Sequence, residues 1–150
     1  MKQISNDADF KQSLQSLSYD QQRIVATQFV EHVLALCTDD RLKRVVDTGL
    51  NEKATQDDLS NALKSAKSIT FDCHTRCGAE GNWSEQAGYF VARAAIAALT
   101  PEPQSKSGGP AWQAAMSSRM AQTSVQIDSD SSDLTDNKWQ YKILSDFLNS

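Results

Sequence analysis

Apolar side chains recur every three or four residues along this sequence, from Phe10 to Leu148, and that spacing makes helix the dominant element. A helix brings positions i, i+3, i+4 and i+7 to one side, so each segment carries an apolar stripe that another must cover. Phe10, Leu14 and Leu17 predict a short first helix capped by Asp7 or Asp9. Ser18 and Gln21 have the spacing of a capping box. They open a helix presenting Ile24, Val25, Phe29, Val30, Val33, Leu34 and Cys37, a stripe wide enough to place it at the centre of the core.

The same reading continues to the C-terminus. Thr38 is expected to cap a third helix carrying Leu42, Val45, Val46 and Leu50. Thr55 and Asp58 open a long helix from about Gln56 to Cys77, with Gly78 as its stop and Thr70-Phe71 as a point of weakness. Asn82 caps an alanine-rich helix to Leu99, ended by Pro101. A flexible connection follows over 101–109, and Pro110 starts a helix with Trp112, Ala115, Met116, Met120 and Ile127. After a polar loop over 128–133, Asp133, Thr135 or Asp136 opens a last helix burying Trp139, Ile143, Leu144, Phe147 and Leu148. Only Ser68 to Phe71 hints at a strand. The fold class is therefore all-α: one domain of six or seven helices, neighbours mostly antiparallel, packed as a bundle.

Composition narrows the function classes. At 150 residues and 39% hydrophobic, the chain is long and apolar enough for one packed core. A formal charge of −4 and a pI near 5.1 argue against a nucleic-acid surface, which needs clustered cations. The N-terminus shows no apolar leader, and Tyr89 to Leu99 is too short to span a bilayer, so neither secretion nor a membrane is expected. Three cysteines without framework spacing suit reduced thiols and a cytoplasmic setting.

The residues with most chemistry are Cys73, His74 and Cys77. Cys73 and Cys77 stand four apart, so both thiolates could reach one soft metal. Zinc wants about four ligands, and His32 and Cys37 are the only other candidates. They sit five apart on diverging faces, and the cysteine pair continues an apolar stripe, so core packing is the expected role and no metal is assigned. A cysteine nucleophile would need His32 or His74 as its base. Lys106-Ser107-Gly108-Gly109 lacks the order of a Walker loop. The acidic run Asp128, Asp130, Asp133 and Asp136 lacks the glycine and glutamate of a calcium loop. Arg41, Lys43 and Arg44, beside Asp39 and Asp40, read as an exposed helix face. No catalytic residue, no cofactor and no metal is expected.

One resemblance bears on function. The run Phe29 to Leu36, the turn Asp39-Asp40-Arg41-Leu42-Lys43, the alanine-rich Ala87 to Ala98 and the late Trp139-Gln140 are similar in layout to bacterial helical immunity proteins of polymorphic toxin systems. The likeness spans Ile24 to Leu148, with a last third richer in serine and glutamine. It implies an all-α protein that binds a protein partner, with neutralising a toxin or scaffolding a small complex as the two forms such binding would take. The expectation is thus a non-enzymatic protein binder, the acidic balance suiting a basic partner. The competing class is a metal- or thiol-dependent enzyme or sensor centred on Cys73, His74 and Cys77. A homodimer joined through the small surface of Gly88, Ala92 and Ala95 is a third.

Overall fold

A computed structural model describes residues 4–37, 39–80, 83–100, 109–129 and 138–149, leaving aside the side chains at 74, 76–80, 83–85 and 125–129. Seven α-helices account for most of the described residues, and no strand occurs among them. They are α1 (Asp7–Gln15), α2 (Tyr19–Val33), α3 (Arg41–Leu50), α4 (Gln56–Glu80), α5 (Trp83–Leu99), α6 (Gly109–Ser129) and α7 (Lys138–Leu148). A single 3-10 turn, Leu34–Leu36, extends α2.

The caps follow the sequence signals, with some exchanged residues. Ser18 and Gln21 form the expected capping box: the Gln21 amide donates to Ser18 Oγ at 3.2 Å and the Ser18 amide to Gln21 Oε1 at 3.0 Å. Thr55 and Asp58 make the same reciprocal pair at 3.0 and 3.1 Å. Helix α1 is capped by Asn6, not by Asp7 or Asp9; the Asp9 amide donates to Asn6 Oδ1 at 2.9 Å. At α3 the Arg41 amide donates to Asp39 Oδ1 at 3.0 Å, and Thr38 lies outside the described residues, as does Asn82.

Two expected interruptions are absent. Helix α4 runs unbroken past Thr70-Phe71 and through Gly78 to Glu80, because tertiary contacts along its buried face outweigh the local propensities. Phe71 simply turns outward, 70% exposed. Helix α2 stops earlier than its stripe suggests: Leu34–Leu36 tighten into the 3-10 turn and Cys37 is extended (φ −110°, ψ 127°). Of the two expected connections, 101–108 and 130–133 lie outside the described residues, as does the expected opening of the last helix at Asp133, Thr135 or Asp136, whereas Asp128 and Ser129 still belong to α6. Gly109 opens α6 at φ 86°, where a β-carbon would also meet Gln22 Oε1 at 2.8 Å.

One hydrophobic cluster draws on all seven helices. Helix α5 packs most extensively on α6 and α4, and α2 rests on α6, α5 and α3. Both helices bury small residues, Ala87, Ala92, Ala95 and Ala98 on α5 and Ala111, Ala114, Ala115 and Ala121 on α6, and Ala95 and Ala98 also border Thr27, Val30, Val45 and Val46 of α2 and α3. Bulk comes from an aromatic group in which Phe10 sits among Phe29, Trp112 and Tyr141 with ring centroids 5.8, 6.2 and 5.3 Å away. Full burial of Phe10 and Phe29 contributes about 1.5–3 kcal/mol each. No helix among the described residues is long and apolar enough to cross a membrane.

Candidate functional site

The residues singled out for metal or thiol chemistry divide between two places. Cys73 lies on the buried face of α4, and Cys37 approaches it from the end of the 3-10 turn. Both meet Gly88 of α5: a β-carbon there would stand 3.7 Å from Cys37 Sγ and 3.8 Å from Cys73 Sγ. His74 and Cys77 belong to α4, but their side chains lie outside the described ones, so of the cluster weighed as a competing metal or thiol centre only Cys73 is described, and it has the buried place expected of a core residue. His32 is engaged elsewhere, its ring stacked on Trp139 at 4.1 Å and 10°. Among the described residues no three His, Cys, Asp or Glu side chains converge as metal ligands. Gly88, Ala92 and Ala95, the surface considered for a homodimer, are buried within the chain.

A second feature was not anticipated from sequence. Helix α7 lies along α2 and leaves a depression on either side of Phe147. The first, about 500 Å³, is lined by Leu17, Asp20, Arg23, Ile24, Glu52 and Phe147 among others. The second, about 390 Å³, is lined by Gln28, Glu31, His32, Ile143, Asp146 and Phe147. Asp20, Ile24, Gln28 and Glu31 are spaced four, four and three residues apart, one strip of α2 running about 17 Å. Its floor is half-buried aliphatic and aromatic surface, and its rim carries the exposed carboxylates of Asp20, Glu31, Glu52 and Asp146.

The cation in the lining does not offset that rim. Arg23 is buried, donating to the carbonyls of Gly49 at 3.3 Å and Asn51 at 3.0 Å, where its charge serves the C-terminal end of the α3 dipole. Its pairing with Asp20, at 3.7 Å, is longer and leaves Asp20 88% exposed. The strip is therefore apolar below and negative along its edges. A sequence signal for it existed: the stripe on α2 was too wide for one core-facing side, and Ile24 lies at its edge.

Two polar junctions hold the neighbouring helices. Arg119 of α6 makes a fork to Asp7 at 2.8 and 3.1 Å and donates from Nε to Gln140 Oε1 at 2.7 Å. The Tyr141 hydroxyl donates to Asp7 Oδ1 at 2.6 Å, and fully buried Gln140 donates to the Ala115 carbonyl at 2.9 Å. The Arg119 hydrogen bonds, helped by the Tyr141 hydroxyl, hold the Asp7 carboxyl below its ordinary range against the opposing effect of burial. Burial first, and then the Asp7 carboxylate, push the Tyr141 phenol up. At the second junction Arg41 bonds Asp39 at 2.6 Å and Asp72 at 2.8 Å, joining α3 to α4. Those bonds, Asp39 first, raise the Arg41 guanidinium further above its already high range. Both are fastenings between helices, and in the basic run it is Arg41 that spends its charge on Asp39 and on Asp72 of α4. Compared with protein-family models, curated proteins and solved structures, the chain matches none.

Proposed function

We propose that this chain is a non-catalytic helical module that binds a protein partner, and that the strip between α2 and α7 receives a basic amphipathic helix of that partner. The observation that carries the reading is the acid-rimmed apolar strip around Phe147. A helix laid there would bury its apolar side against Ile24, Ile143 and Phe147. Lysines or arginines on its flanks would meet Asp20, Glu52, Glu31 and Asp146. The net charge of −4 points the same way. Neutralisation of a toxin, which the resemblance implies, is one form that such binding takes.

The test uses the full chain and two labelled peptides, alike in their leucine face and carrying either lysine or glutamate on the flanks. Anisotropy titration is expected to favour the lysine peptide by roughly tenfold or more, the preference shrinking as salt rises. The exchange Glu31→Lys with Asp146→Lys, both exposed, is expected to abolish the preference while leaving the circular dichroism and melting curve unchanged. Equal binding of the two peptides, or a preference untouched by the exchange, overturns the reading.

A further inference from the structure

Two of the three thiols border the same glycine, Gly88, at a place the groove does not involve. Cys37 lies beyond the helical part of its segment, half-buried and extended, while Cys73 is 2% exposed in the C-terminal third of α4. Gly88 borders both. A methyl group at that position would sit in ordinary contact with each sulfur, at 3.7 and 3.8 Å, and with the Cys37 α-carbon at 3.7 Å. The absence of a side chain at 88 leaves that methyl-sized space to the two sulfurs, delivered to it by the exit of α2 and by α4.

We propose that Cys37 and Cys73 form a redox pair, which a hydroperoxide converts into an intramolecular disulfide while Cys77 remains a thiol. Cys37, the more accessible of the pair, loses its proton to solvent, and the thiolate attacks the terminal oxygen of the hydroperoxide. The O–O bond breaks, the alcohol departs with a proton, and Cys37 becomes a sulfenic acid. The Cys73 sulfur then attacks the Cys37 sulfur: the S–S bond forms, the S–O bond breaks, and the released hydroxide takes the Cys73 proton to leave as water. One hydroperoxide and two thiols thus give one disulfide, one alcohol and one water. The two electrons lost by sulfur are gained by the peroxide oxygens.

Geometry selects the partner. A disulfide places its β-carbons about 3.5–4.5 Å apart, whereas β-carbons four residues apart on a helix stand about 5–6 Å apart. Cys73 and Cys77 share the continuous helix α4, so bridging them would mean unwinding it. Cys37 lies outside regular helix, where backbone and χ1 can adjust at little cost. The bond would fasten the exit of α2 to the C-terminal third of α4 and enclose all of α3 in the closed loop.

The sequence makes the test unambiguous, because trypsin puts each cysteine in a different peptide: 24–41 holds Cys37, 68–76 holds Cys73 and 77–93 holds Cys77. The folded chain, treated with stoichiometric hydrogen peroxide and then alkylated, is expected to lose two hydrogen masses and yield 24–41 joined to 68–76. Peptide 77–93 should carry a single alkyl group. Dithiothreitol should restore all three thiols. Cys77→Ser is expected to keep the cross-link and Cys37→Ser to lose it. A cross-link containing 77–93, a disulfide-linked dimer, over-oxidised Cys37 without a cross-link, or three thiols still alkylated after treatment would each overturn the proposal.

Discussion

Two glycines in helices show how little the residue type alone decides. Replacing a helical glycine by alanine gains up to about 1 kcal/mol of backbone entropy where the new methyl has room. At Gly88 the methyl would meet its neighbours at 3.7–3.8 Å, so Gly88→Ala is expected to stabilise the chain by a fraction of that amount. At Gly49 it would lie 2.6 Å from Thr27 Oγ1 and 2.8 Å from Thr27 Cγ2. Thr27 is buried and its hydroxyl donates to the Arg23 carbonyl at 2.8 Å, so it cannot swing away cheaply. Gly49→Ala is therefore expected to cost roughly 1–3 kcal/mol, overpacking outweighing propensity. Urea denaturation of both variants checks the opposite signs; equal shifts would show that the two sites do not differ in packing. The helix propensity of glycine is legible in sequence, but its closeness to Thr27 is not.

At the scale of the element, two caps were read in full because they depend on residues three apart, whereas α1 is capped by Asn6 and not by Asp7 or Asp9. Ser18–Gln21 and Thr55–Asp58 form reciprocal boxes at the positions expected. Ser18→Ala is expected to lose about 1 kcal/mol, seen as a lower urea midpoint at unchanged slope. A loss near zero would mean that tertiary contacts alone hold the start of α2. Helix ends without such local pairs were read less well. Gly78 does not stop α4, and the stripe that carried α2 on to Cys37 hides a 3-10 turn and an extended residue. Both outcomes follow from neighbours distant in sequence, since a terminating glycine acts only where the following chain has somewhere else to pack.

The whole molecule is closed by contacts between its ends. Asp7 in α1 meets Arg119 of α6 and Tyr141 of α7, with Arg119 also lying over the Phe10 ring at 5.6 Å. Because the folded Asp7 carboxyl titrates below the unfolded value of 3.8, the unfolded chain takes up that proton first as pH falls. The contribution is thus fully present above about pH 4 and is lost as pH falls through the folded value. Asp7→Asn is expected to melt lower than the parent at neutral pH, by a few °C at most for so exposed a pair, with the difference closing in acid. Thermal melts from neutral pH to about pH 2.5 check this; a gap that persists at the acid end would assign the effect to packing of the side chain and not to its charge.

By itself the sequence determined the all-α class, the identity of the seven helices and the inward burial of Phe10, Phe29, Ile69 and Leu144, because each depends on periodicity within a single segment. Only the tertiary structure decided which stripe edges stay uncovered and which distant thiols become neighbours. Ile24 belongs to the same apolar pattern as Val25, yet α7 covers α2 so thinly that Ile24 lines an open strip beneath four carboxylates. Cys37 and Cys73 lie on separate segments, and their meeting at Gly88 depends on how α4 and α5 lie against the exit of α2. Periodicity records which side of a helix is apolar, whereas the neighbour that covers that side is set by the packing of the complete chain.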